Sequence, residues 1–554
     1  MATTQAQYNL AQVHEAVSAV VPDRLAVIAP EGRYTYRDLT EASRRFASAL
    51  RARGCGAVRP RAELAGHESG QDHLALYLHN GVEYLVGMLG AYKARLAPLN
   101  VNYRYVAEEL RYVLENSAAK VVLCHDALAP VLAGVLPSLP GVELVVQVAD
   151  GSEQELLPGA VRYEDFLREG SPEPLDVELS PDDLYILYTG GTTGSPKGVL
   201  WRQHDIFVSA MGGRPFGATE PRASLEEITD AVAASGETRL MILAPLMHGA
   251  AQWASFTSFS MGGTVVVSPN VHHFDPVEIL KTVERERVVS LQIVGDAMGR
   301  PIVDELERGD YDVSSLFVLG SGGAALHPTT KERFLELAPH AMVFDGMGSS
   351  EGGIQGAHMS TKGDVATGTF RPGSGAVVLN ADRDALLEPG SEEQGWLAQS
   401  GLVPLGYLGD PAKTAATFPV IDGVRYSTPG DRAIYRADGQ IELLGRDSVT
   451  INSGGEKIFA EEVEAALRSH PGVYDVVVVG RPSERWGSEV VAIVQPAPGA
   501  TPVDAELLAA AQEHIARYKL PKAIVYRDDL HRSPSGKADY AWAAREAASD
   551  SPTP

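Results

Sequence analysis

The sequence predicts an α/β fold, with a large N-terminal domain of layered sheets and helices at residues 1–447 and a small α+β domain at residues 448–554. Three observations predict it. Short β-rich runs alternate with amphipathic helical patterns over most of the chain. Several of those runs are apolar throughout, which suits strands covered on both faces of a largely parallel sheet. Near Gly445 the rhythm changes to a compact unit of short strands and helices, large enough to fold by itself.

In chain order, strands are expected at 74–78, 120–124, 144–148, 184–188, 241–244, 264–268, 288–293 and 315–319, with helices at 36–53, 83–94 and 276–284 between them. Two polar segments look like insertions. Residues 59–72 mix Pro, Gly and charge, and residues 214–238 carry a short surface helix at 225–234. The domain boundary falls at 446–449. Beyond it come a short strand, a helix at 461–469, strands at 473–479 and 488–495, and a helix at 503–517.

The 554 residues are 44% apolar and 21% charged, a globular balance, with a formal net charge of −25. That charge argues against a nucleic-acid binder, which shows a basic face. An anionic substrate therefore needs a local positive patch. Two cysteines, Cys55 and Cys124, exclude a disulfide framework and a cysteine-based metal cluster. Residues 1–10 lack the basic end and apolar run of a signal peptide. The longest apolar stretch, 243–267, is interrupted by Pro245, His248, Gln252 and Gly262, so no bilayer span is expected. The reading is a cytoplasmic protein, with which a homodimer is compatible.

The sharpest local signal is Tyr188-Thr189-Gly190-Gly191-Thr192-Thr193-Gly194-Ser195-Pro196-Lys197-Gly198, between two apolar runs. Glycines let the backbone turn and aim several N–H groups at one anion. Four hydroxyls and the Lys197 charge complete a set suited to a polyphosphate. It is not a Walker A loop, which ends in Gly-Lys-Ser/Thr at the start of a helix. A flexible surface turn is the bland alternative.

With this motif the chain resembles the acyl-adenylate-forming superfamily, which includes acyl-CoA synthetases, peptide-synthetase adenylation domains and beetle luciferases. The resemblance runs over about residues 26–540, with further motifs in the family's order. Gly320-Ser-Gly-Gly-Ala-Ala-Leu326 is similar to the segment whose backbone flanks adenine, which assigns Gly322, Gly323 and Ala324 to the nucleotide. Gly346-Met347-Gly348-Ser349-Ser350-Glu351 resembles the family's Tyr-Gly-x-Thr-Glu. The match implies that Ser350 contacts phosphate and that Glu351 binds Mg2+, and it assigns Asp345, Gly346, Met347, Gly348 and Ser349 to the same site. Met347 stands where an aromatic residue is usual, so a thioether contact would replace stacking on adenine. Ser427-Thr-Pro-Gly-Asp431 resembles Thr-Gly-Asp, with Asp431 on the ribose hydroxyls. Gly445-Arg446-Asp447 resembles Gly-Arg-x-Asp/Lys, with Arg446 at the nucleotide and Ser448 at the hinge.

In the small domain, Arg532-Ser-Pro-Ser-Gly-Lys537 resembles the family's last motif, whose lysine reaches the other domain during adenylation. A cation there would neutralise charge between carboxylate and α-phosphate. Thr450-Ile-Asn-Ser-Gly-Gly-Glu-Lys457 is similar to the loop that lines the pantetheine tunnel after the small domain rotates, with Gly454 and Gly455 letting the thiol arm pass.

Ala244-Pro-Leu-Met-His248-Gly-Ala-Ala-Gln-Trp253 matches the segment leading into the acyl site, where His248 closes the pocket or steers the carboxylate; a hydrogen-bonded core histidine is the alternative. No Asp or Glu occurs between Ala244 and Val271, so no counter-charge awaits an ammonium group and an uncharged acyl body is favoured. Details such as Gly295-Asp-Ala-Met-Gly-Arg-Pro301 most resemble actinobacterial ligases for steroid side-chain carboxylates, although Arg95 stands where glycine is common. The resemblance thus implies an ATP-dependent acyl-CoA ligase for a bulky hydrophobic acid (steroid, terpenoid or long-chain), using ATP, Mg2+ and coenzyme A. The competing readings are an enzyme loading a carrier-protein thiol, a luciferase-type oxygenase, and a non-catalytic nucleotide-binding module.

Overall fold

The computed structural model describes residues 6–189, 195–446, 449–453, 456–483, 487–515, 517–533 and 536–549. Among them, two large sheets organise the chain up to residue 446. An eight-stranded sheet runs in the order Gly406–Tyr407, Lys197–Arg202, Leu184–Thr189, Ala97–Asn100, His73–Tyr77, Ala119–His125, Leu144–Val148, Val161–Arg162. From Leu184–Thr189 onward every pairing is parallel.

The second sheet has fifteen strands. Its parallel part holds Leu25–Ala29, Thr264–Val267, Arg239–Ile242, Ser290–Ile293, Val318–Gly322 and Met342–Ser349 in spatial order. From Gly353–Ser360 the sheet continues antiparallel. The sequence reading placed no strands in 342–446. Most of those strands are short or interrupted by glycine and polar residues, as in Gly353–Ser360 and Thr369–Pro372, so they lack the long apolar run that marks a buried strand. The strand expected at 315–319 lies at Val318–Gly322, because Leu319 aligns with Leu291 on one side and Val343 on the other. Neighbouring backbones carry this ladder into a glycine-rich end that hydrophobicity cannot see.

Helices cover the sheets as their sequences dictate. Tyr36–Ala52 begins at a capping box, in which Thr35 and Asp38 satisfy each other's backbone N–H. Its buried stripe includes Leu39, Phe46 and Leu50. Val82–Ala94 is buried on nearly every face, and small residues make that packing feasible. A Cβ on Gly90 would stand 2.7 Å from the Phe46 ring, and one on Gly87 would stand 2.8 Å from Leu76 and Leu123. The helix ends at Arg95 in the left-handed region, φ 61°. There the guanidinium grips buried Asp183 through Nε and NH2.

Beyond residue 449, a two-stranded ladder (Thr450–Ser453 with Glu456–Phe459) and a three-stranded sheet (Val473–Ser483, Gly487–Pro496, Ala523–Tyr526) pack with helices Ala460–Arg468, Asp504–Gln512 and Tyr540–Ser549. Two apolar clusters draw all their residues from this segment, with Val463, Val476 and Val490 in one and Val477, Val491 and Trp542 in the other.

Candidate active site

Strand Leu184–Thr189 precedes the glycine- and threonine-rich segment, and Lys197–Arg202 pairs antiparallel with it, Thr189 opposite Lys197. Gly190, Gly191, Thr192, Thr193 and Gly194 lie outside the described residues. Lys197 Nζ pairs with the Asp410 carboxylate at 2.8 Å. That lysine holds the Asp410 carboxyl below its usual range. Asp410 also caps helix Pro411–Thr417 by accepting from the Lys413 N–H.

One cavity of about 1830 Å³ collects most of the sequence-derived positions that lie among the described residues. Thr189, Pro196, His248, Gly322, Gly323, Gly346, Met347, Gly348, Ser349, Ser350 and Lys537 all line it. Small-molecule sites run to about 300–1,000 Å³, so two substrates can share this space. Parallel pairing sets Gly322 beside Gly346. A Cβ on Gly322 would stand 3.4 Å from the Gly346 oxygen, so this wall is bare main chain, open to a flat base. Phe344, which the sequence reading overlooked, also lines the cavity and meets Phe216 edge-on, 5.5 Å between centroids. An aromatic ring is therefore present three positions before Met347. Phe216 comes from the segment read as a surface insertion, whose residues 214–219 form cavity wall.

Ser350 is followed by Glu351, which is 7% exposed and accepts a hydrogen bond at Oε1 from the Tyr407 hydroxyl, 2.8 Å. Trp201 Nε1 donates to the Ser350 oxygen at 2.9 Å and pins the turn. Sequence reasoning missed Tyr407 and Asp410. The Gly406-Tyr407-Leu408-Gly409-Asp410 turn before Pro411 is the signal that marks them. Lys197, Ala324, Asp345, Glu351 and Asp431 are not among the lining residues. Asp345 is ion-paired with fully buried Lys331, which also donates to Thr367 Oγ1 at 2.7 Å. Burial raises the Asp345 pKa while Lys331 pulls the other way. Asp431 stands opposite Arg446 across an antiparallel pair. Gly454 and Gly455 lie outside the described residues, as does the Arg446 side chain.

His248 opens helix Gly249–Ser260, and its Nε2 is buried without a hydrogen-bond partner. Burial, reinforced by the positive charge of Lys537, lowers its pKa to about 4. The ring is thus neutral at pH 7, and its Nε2 is a buried polar atom left unsatisfied. Lys537 lines the same cavity as His248. Lys537 sits on a tight turn in which Ser533 N–H donates to Lys537 O at 2.8 Å and Lys537 N–H to Ser533 Oγ at 3.2 Å. Ala250, Trp253, Ala254 and Thr257, none of them charged, line one stretch of the cavity, whose wall also includes Arg214, Arg222 and Arg239.

A carboxylate suits a hard divalent cation. Glu351 fits that need by its chemistry: it is a buried carboxylate one position after the lining residue Ser350, with one oxygen oriented by Tyr407. A second group, His79, His125 and Asp150, converges within 4.8 Å at the ends of adjacent strands. There, however, His125 Nδ1 accepts the His79 N–H at 3.0 Å, so its neutral ring carries the proton on Nε2 and has no lone pair to give.

Among the described residues no helix is long and apolar enough to cross a membrane. The chain matches the model of the AMP-binding enzyme over residues 14–407 and that of the AMP-binding enzyme C-terminal domain over residues 462–537. It is 56% identical to the medium-chain acyl-CoA ligase Mig of Mycobacterium avium, across 99% of this chain and 100% of that one. It is 40% identical to a 3-oxocholest-4-en-26-oate–CoA ligase of Rhodococcus rhodochrous, across 97% and 95%. Among solved structures, the anthranilate CoA ligase AuaEII with anthranoyl-AMP superposes with a TM-score of 0.81 at 20% identity over 98% of both chains, which shows a shared fold.

Proposed function

The chain belongs to the AMP-binding enzyme family, and from that premise we infer that it is an ATP-dependent acyl-CoA ligase acting on a bulky or medium-to-long hydrophobic carboxylic acid. The observation that carries this reading is one large cavity whose wall includes Ser349, Ser350 and His248 from one part of the chain and Lys537 from the other. The uncharged stretch with Ala250, Trp253, Ala254 and Thr257 supports a hydrophobic acid. The relatives named for medium-chain acids and for a steroid carboxylate support the same class.

In this reading the acid's carboxylate displaces pyrophosphate from the α-phosphorus of ATP, and the thiol of coenzyme A then takes the acyl group from the adenylate. No protein nucleophile is required, and the residues align and neutralise. Lys537 stabilises negative charge between carboxylate and α-phosphate. His248, held neutral, forms part of the wall beside the acid end. Ser349 and Ser350 donate to phosphate oxygens, and Lys197 exchanges Asp410 for phosphate. Asp431 and Arg446, paired across neighbouring strands, serve the ribose edge. Glu351, braced by Tyr407, would hold Mg2+, which supplies charge neutralisation on the triphosphate. Ser448 acts as the hinge, and Gly454 and Gly455 admit the pantetheine arm.

The test is a panel of carboxylic acids with ATP, Mg2+ and CoA, read by mass spectrometry for thioesters and by acid-dependent pyrophosphate release. Thioesters of medium-chain and polycyclic acids are expected. Turnover confined to short linear acids overturns the substrate class, and no acid-dependent pyrophosphate release with any acid overturns the ligase reading. Replacing CoA by a pantetheinylated carrier protein separates the two acceptors.

A further inference from the structure

Helix Gly295–Arg308 meets the small domain at two linked points. Arg300 donates to the main-chain oxygen of Tyr474 and, at 3.4 Å, to that of Val473. Its guanidinium also lies 5.0 Å from the centre of the Tyr474 ring. Tyr474 is the extra residue of a bulge, since the register of Val473–Ser483 against Gly487–Pro496 shifts between Val473 and Asp475. A bulged residue leaves the ladder, and here its carbonyl is turned toward the other domain.

The neighbouring Asp475 receives Arg532 through two hydrogen bonds, 2.7 and 2.8 Å. Arg532 donates in turn to the Gly536 oxygen at 3.0 Å, one residue before Lys537. Gly536 rests on the start of the same helix. A Cβ there would stand 3.0 Å from the Val294 oxygen and 3.3 Å from Ala297 Cβ. One continuous path therefore runs from Arg300 through the bulge, Asp475 and Arg532 to the lysine turn.

We propose that Arg300 is a positioning residue for the adenylation half-reaction, clamping the Tyr474 bulge so that the Asp475–Arg532 pair sets Lys537 at the cavity. The proposal rests on the acyl-CoA ligase reading. The clamp touches neither substrate and is needed only while Lys537 faces the acid, so its loss separates the two halves of the reaction.

The experiment uses the full chain and assays acid-dependent ATP–pyrophosphate exchange alongside thioester formation from CoA and chemically prepared acyl-adenylate. Arg300→Ala is expected to slow exchange by about tenfold or more while thioester formation stays within about twofold. In a Lys537→Ala background the same change should cost less than about twofold further, because residues acting through one group are not additive. Arg300→Lys, which keeps a cation and one donor, should fall between the two and carries the comparison if the alanine variant folds poorly. Unchanged exchange, equal loss in both halves, or full additivity with Lys537→Ala overturns the proposal. A wild-type protein without acid-dependent exchange overturns the ligase reading, and this inference with it.

Discussion

At the residue scale the sharpest expectation concerns Lys537. Its ammonium is the cation that the small domain brings to the cavity, and its charge already depresses the His248 pKa. Lys537→Ala is expected to slow pyrophosphate exchange about 10²–10³-fold, as loss of one preorganised electrostatic group does, yet to spare thioester formation from supplied adenylate. Quench-flow on each half measures the split. Tyr407→Phe removes the hydroxyl that orients Glu351. The Mg2+ concentration for half-maximal exchange should rise about tenfold, as with other groups that brace a metal ligand. An unaltered Mg2+ titration would show that Glu351 needs no such support. Lys197, Glu351 and Lys537 could be singled out in the sequence because each sits in a motif of unusual composition, and of the three Lys537 lines the cavity. Tyr407, Asp410 and Phe344 were not, because their importance lies in what they touch across the chain.

At the element scale, the end of helix Val82–Ala94 shows how a local rule is overridden. A left-handed C-terminal position favours glycine, yet Arg95 occupies it, and its ion pair with Asp183, 2% exposed, offsets the backbone cost. Asp183→Ala should destabilise the protein by about 3 kcal/mol, since it strands a partly buried cation. Thermal unfolding measures this, and a change of a few tenths would mean that the pair contributes little. The helices and apolar strands of the two sheets were readable within a few residues, as with 144–148 and 225–234. The antiparallel strands after Gly353 were not, because pairing partners rather than apolar periodicity define them.

At the scale of the whole molecule, burial sets the response to acid. It lowers His14 to about 3 and His79, His125, His204 and His248 to about 4. These groups lie below the ordinary histidine value of 6.5, so between pH 6.5 and 4 the unfolded chain takes up protons that the folded one refuses. Stability is then full above about 6.5 and is lost as pH falls, by about 1.4 kcal/mol per group for each unit of separation. Glu83 and Asp205, raised by burial to about 7 and about 6, pull the other way together with Asp183, Asp345 and Glu464, but they are fewer than the lowered histidines, which also include His73, His327 and His358. The melting temperature should therefore drop steeply from pH 7 to pH 5, and a flat profile would mean these rings are charged in the fold.

The sequence by itself determined the α/β class, the order of the glycine-rich motifs and the absence of Asp and Glu from 244–271, because each is written in local composition and spacing. Only the tertiary structure decided that residues some 200–350 positions apart share one cavity, that Tyr407 braces Glu351, and that a bulge at Tyr474 meets Arg300. Those are contacts between elements distant in the chain, and they come into being only when burial of apolar surface packs the sheets, helices and small domain together.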